Sequence, residues 1–110
     1  MSELLRLLRE RLSGNEPKYR NVRIFPKILE EQNTFSSEEK AHLTRKGFYW
    51  YVYYDFKNPL TGKYVRQTPV KNKLNLRYPE FDERLVKIKR IKTDLIKVLK
   101  DGHDPYQEEA

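Results

Sequence analysis

Ten consecutive residues, FYWYVYYDFK at positions 48–57, constrain this chain more than any other stretch. Seven of them are aromatic and one is valine. Such side chains favour extended backbone, where they spread over a pleated surface instead of crowding a helical turn. Their spacing shows none of the three-and-four steps of a helix. In a strand, successive side chains alternate between faces. Trp50, Val52, Tyr54 and Phe56 then share one face, and Tyr49, Tyr51, Tyr53 and Asp55 share the other. The first set is the better core set, since it holds the tryptophan, the valine and the phenylalanine.

The next six residues, Asn58-Pro59-Leu60-Thr61-Gly62-Lys63, are turn chemistry. Proline presets one turn and glycine permits positive φ. Residues 64–69 (YVRQTP) read as the returning strand of a hairpin, which Pro69 either ends or occupies at an edge. Residues 70–76 (VKNKLNL) are expected as a third, short strand, with Val70, Asn72, Leu74 and Leu76 alternating against Lys71, Lys73 and Asn75.

Residues 80–100 carry the strongest helical signal. Phe81, Leu85, Ile88, Ile91, Leu95, Val98 and Leu99 recur at helical steps. Pro79 suits the first turn, acidic residues crowd the start, and Lys97 and Lys100 close the end, as the helix dipole prefers. Gly102 is a natural cap and Pro105 prevents continuation. A hairpin alone is unstable in water. A sheet with one apolar face and a helix with one apolar stripe bury each other. The expected fold is therefore α+β: a three-stranded antiparallel sheet packed on a C-terminal helix.

Residues 1–47 are expected to form a helical N-terminal extension to a domain spanning 48–106. Residues 2–12 read as a short amphipathic helix, with Ser2 as cap and Leu4, Leu5, Leu8 and Leu12 in one stripe. A helix this short needs a partner for that stripe, and packing within the chain is the default. Residues 15–33 read as a connector in which Val22-Arg23-Ile24-Phe25 suits a short edge strand. Ser36 with Glu39 makes a capping-box pattern, and Phe35 stands at the staple position, so a second short helix is expected from Ser37 to about Arg45.

Charge narrows the partners. Lys and Arg number 23 against 16 Asp and Glu, a net charge of +7. Such a field attracts polyanions, nucleic acid first, then an anionic membrane surface, then an acidic protein. There is no cysteine, which removes disulfides and thiolate sites and suits a reducing compartment. No stretch approaches the ~20 apolar residues of a membrane span. The leucines near the start are interrupted by arginine and are too few for a signal core. No membrane partner and an intracellular location are expected.

If the helix covers one face of the sheet, the other is free. It would show Tyr51 and Tyr53 beside strands carrying Arg66, Gln67, Thr68, Lys71, Lys73 and Asn75. The register is open at this point, and with it whether Arg66 or Gln67 joins the tyrosines. A narrow sheet of this kind can enter the DNA major groove, where Arg, Lys and Asn read base edges and Tyr and Thr reach phosphates. The expected base-reading set is Arg66, Thr68, Lys71, Lys73 and Asn75, assisted by Tyr51 and Tyr53. Lys63 and Lys87 are expected at phosphates. Two alternatives stand beside duplex binding: stacking of the tyrosines on unpaired bases of single-stranded DNA or RNA, and a protein-interaction module built on the leucine stripe. The plainest reading is a solvated face with the tyrosines packed on the N-terminal segment.

Catalysis finds little support. His42 and His103 stand far apart, and no HExxH, CxxC, GxGxxG or P-loop pattern occurs. No enzyme activity, metal or cofactor is expected of this chain.

The stretch WYVYYDFKNPLTGKYVRQTPV (50–70), then DERL (82–85), a basic amphipathic helix and DGHDPY (101–106), resembles the N-terminal arm-type DNA-binding domain of tyrosine recombinases. These are the phage and conjugative-transposon integrases, particularly those of Bacteroidetes-like bacteria. The resemblance rests on the aromatic strand Trp50 to Tyr54, the turn residues Asn58, Pro59, Thr61, Gly62 and Lys63, then Arg66, Glu83-Arg84, and the closing Gly102, Pro105 and Tyr106. His103-Asp104 departs from the usual aromatic-Asn pair, which touches only the helix exit. The resemblance covers 48–106. It implies a sheet inserted into the major groove of arm-type sites, other integrase subunits as further partners, and a bacterial cytoplasmic, nucleoid-associated setting. In such integrases the tyrosine nucleophile and its Arg/His set belong to a later catalytic domain, so the chain is expected to be a piece of a longer recombinase, with a stand-alone regulator as the alternative.

Overall fold

The computed structural model describes residues 17–107, and the helix expected over 2–12 lies outside them. Seven elements occur in chain order: β1 (Tyr19–Phe25), α1 (Ile28–Glu31), α2 (Ser37–Leu43), β2 (Tyr51–Lys57), β3 (Tyr64–Arg66), α3 (Leu74–Arg77) and α4 (Phe81–Lys100). The three strands form one antiparallel sheet in the order β1-β2-β3, with the aromatic strand at its centre. The α+β architecture is the expected one. None of the helices among the described residues is long and apolar enough to cross a membrane.

The identity of the third strand differs from expectation. It comes from Tyr19–Phe25, where only a connector with a brief edge strand was anticipated, and not from 70–76. The central strand has two edges. β1 fills one, and β3 with the single Val52–Val70 bridge fills the other. Beyond Val70 the chain has no free edge of β2 to join. Asn72 and Lys73 adopt left-handed backbone (φ 49° and 51°) and turn it into α3. There Leu74 is buried while Leu76 is 74% exposed, so the apolar alternation of 70–76 does not mark a sheet face.

β1 carries a bulge. Arg20 pairs with Asp55 and Arg23 with Tyr53, so two residues of β1 stand opposite one of β2. The extra residue shifts the inside–outside alternation by one. Asn21 takes positive φ (56°) at this point, a backbone region that asparagine tolerates better than most residues. Tyr19, Val22 and Ile24 consequently pack into the core, while Arg20, Arg23 and Phe25 stand against the outward residues of β2.

Trp50, Val52, Tyr54 and Phe56 are all buried, as their alternation implied. α4 covers this face with Phe81, Ile88 and Leu99, and Leu29 and Leu43 join the same interior. Residues from the expected extension therefore share one core with the sheet. The Trp50 indole N–H donates to the Leu43 carbonyl at 2.8 Å and ties the segment before the sheet to its central strand.

The local signals for the longer helices hold. Ser36 and Glu39 exchange the two hydrogen bonds of a capping box at the start of α2. Phe35 packs on Phe81 of α4, with ring centres 5.0 Å apart, and so fastens α2 to α4. Gly102, at φ +104°, turns the chain so that the His103 N–H reaches the Val98 carbonyl and closes α4.

Candidate nucleic-acid interface

The sheet face opposite α4 is built from alternate residues of three strands. β2 contributes Tyr51, Tyr53 and Asp55. Across from them stand Phe25, Arg23 and Arg20 of β1 and Arg66 of β3. The register settles that Arg66 is the residue sharing the tyrosine face. Gln67 turns elsewhere, its amide donating to the Tyr106 hydroxyl at 3.2 Å.

Asp55 is the hub of this face. It is only 8% exposed and receives Arg66 Nε at 2.7 Å on one oxygen and Asn21 Nδ2 at 2.9 Å on the other. Arg20 Nε lies 4.0 Å away. Burial pushes the Asp55 carboxyl up, but the hydrogen bonds from Asn21 and Arg66 and the charges of Arg66 and Arg20 outweigh it and hold the carboxyl below its ordinary value. The same pairing raises the Arg66 guanidinium above its ordinary value.

The rings are arranged around that hub. Arg66 lies over Tyr53, 4.2 Å from the ring centre, and Arg20 lies 3.9 Å over Tyr64 of β3. Phe25 stacks on Tyr51 at 4.8 Å and 15°. Each such contact contributes on the order of 0.5–1 kcal/mol at an exposed site. Together they hold cations in fixed places on an outward surface. At ~4.8 Å between neighbours, the outer strands are ~10 Å apart, against ~12 Å for the width of the DNA major groove.

Of the residues singled out from sequence, Tyr51, Tyr53 and Arg66 come together on this face. Lys71 sits at one end of it, its ammonium 5.8 Å over the Tyr49 ring. Thr68 is exposed just past β3, and Lys63 is exposed in the β2–β3 turn. The remaining three lie on the helical side. Lys73 precedes α3 in left-handed backbone, and the Asn75 carbonyl accepts from Arg84 at 3.3 Å. Lys87 belongs to α4, 5.3 Å over the Tyr78 ring. The sheet separates this α3–α4 region from the tyrosine face.

Sequence reasoning missed Arg20, Asn21 and Arg23. Their segment shows no clean alternation because the bulge breaks it, and the basic residues are legible as outward only once β1 is paired with β2. Comparison of the chain with protein-family models, with curated proteins and with solved structures finds no match.

Proposed function

We propose that this chain binds double-stranded DNA by laying the Arg20–Arg23–Tyr51–Tyr53–Arg66 face of its sheet in the major groove, as the arm-site module of a tyrosine recombinase. The observation that carries the reading is the sheet face opposite α4, one groove wide, on which three arginines from both edge strands flank two tyrosines. The net charge of +7 supplies the long-range attraction. The recombinase assignment rests on the resemblance over 48–106, and the duplex reading stands without it.

Stacking on unpaired bases fits this surface less well. That mode needs aromatic faces open to a base. Here Phe25 covers Tyr51, Arg66 covers Tyr53 and Arg20 covers Tyr64. Phe25 and Tyr49 keep some aromatic surface open, at 37% and 50% exposure, and the other outward groups are mainly guanidinium and hydroxyl donors, which suit groove edges and phosphates.

The test is titration of duplex and of single-stranded DNA at two salt concentrations. Duplex binding that falls steeply with salt, with single strands weaker, is the expected result. Preference for single strands would favour the stacking mode. Absence of duplex binding at low salt by a folded protein would remove the reading and bring the protein-interaction alternative forward.

A further inference from the structure

An aspartate at the centre of a surface meant for a polyanion is a liability unless it performs a task there. Asp55 repels phosphate and partly cancels the arginines beside it. What it gains is geometry. Its Oδ1 takes the Arg66 Nε–H at 2.7 Å while the Tyr53 ring supports the guanidinium at 4.2 Å, and Asn21 anchors the other carboxylate oxygen at 2.9 Å. A long side chain that would otherwise sample many rotamers is thus held at its Nε and along its plane. The Arg66 side chain nevertheless stays 59% exposed.

An arginine kept only for phosphates would do better with its full charge and free reach. An arginine held at Nε offers a single remaining edge, the paired donors of Nη1 and Nη2. Two parallel donors match the two acceptors, O6 and N7, that guanine alone presents in the major groove. We propose that Arg66, positioned by Asp55 and Tyr53, reads a guanine through its two terminal nitrogens, and that Asp55 trades general affinity for this selectivity. The inference rests on the duplex-binding reading above.

The experiment is selection of bound duplexes from a pool with a randomised centre, using the full chain and its Arg66→Lys and Asp55→Asn variants. Affinities for the selected site and for an unselected duplex are then compared. Wild type is expected to enrich a site with a fixed guanine, and replacing that base by 7-deazaguanine, which removes N7 alone, should weaken binding. Arg66→Lys keeps the charge but not the fork. It should lose roughly tenfold or more of the preference for guanine at that position, a larger loss than it suffers in affinity for unselected duplex. Asp55→Asn should bind unselected duplex more tightly and select less. Should Asp55→Asn fail to fold, the exposed Arg66→Lys substitution still decides. Duplex binding without a fixed guanine, or a guanine preference that survives Arg66→Lys, overturns this inference and leaves duplex binding standing. No duplex binding at all removes both.

Discussion

The guanidinium of Arg20 lies 3.9 Å from the ring centre of Tyr64, so a side chain from one edge strand reaches over the central strand to the other. It passes Asp55 on the way, at 4.0 Å. Arg20 is thereby a strap across the outward face and one of its charges. The Arg20→Ala substitution is expected to cost little stability, about 0.5–1 kcal/mol, because the side chain is 54% exposed. In duplex titrations it should lower the slope of log affinity against log salt by about 0.9, the contribution of one phosphate contact. An unchanged slope would take Arg20 out of the interface.

Acid should weaken the fold through two depressed carboxylates, one of them Asp55 of this cluster. The Asp55 carboxyl is held below its ordinary value of 3.8, and Glu30, bonded to Lys92 and to the Ile24 N–H, is held below 4.5 in spite of its partial burial. Each group thus binds its proton less readily folded than unfolded. Their contribution to stability is fully present above the ordinary carboxylate values and is lost as pH falls through the depressed folded ones. Urea midpoints should stay level from about pH 7 to about pH 5 and drop below about pH 4. In Asp55→Asn the acid-dependent part of that drop should be smaller.

Trp50 tests the tie between the two halves of the chain. It is 1% exposed, and its indole N–H satisfies the Leu43 carbonyl. Trp50→Phe removes the donor, leaves that carbonyl without it, and opens space in the core. A loss of about 2–4 kcal/mol is expected in urea unfolding, the sum of an unmade buried hydrogen bond and a partly filled cavity.

Arg84 has an unusual position for a cation. It is 2% exposed and among the described residues has no carboxylate partner. Burial pushes its guanidinium down from its ordinary value, and Nη1 makes no hydrogen bond among the described residues. Its remaining donors serve backbone carbonyls, with Nε on Tyr78 at 2.7 Å and Nη2 on Asn75 and Pro79 at 3.3 and 3.4 Å. It thus pins α3 and its exit to α4. Arg84→Met relieves the buried charge but strands those carbonyls. The second effect should win by about 1–3 kcal/mol, since three carbonyls lose a donor at once. Amide exchange should speed up first over 74–78, ahead of the sheet. Uniform exchange across the domain would contradict this local role.

Much of the fold was written in local pattern. The period-two alternation of 48–57 determined which face of the central strand is buried, because one aromatic row had to leave water and the other carried Asp55. The three-and-four spacing of 81–99 determined the long helix, Ser36 with Glu39 the start of α2, and Gly62 (φ 73°) the β2–β3 turn. Each depends on neighbours in the chain, so the sequence alone sufficed. Which segment completes the sheet did not follow from it. Residues 70–76 alternate more cleanly than 19–25, yet strand pairing is a competition for two edges of β2, and that competition is between segments remote in sequence. The bulge at Asn21 then reset the phase of β1. Only the paired structure therefore decided that Arg20 and Arg23 share the face of Arg66, and that Lys73 and Asn75 do not.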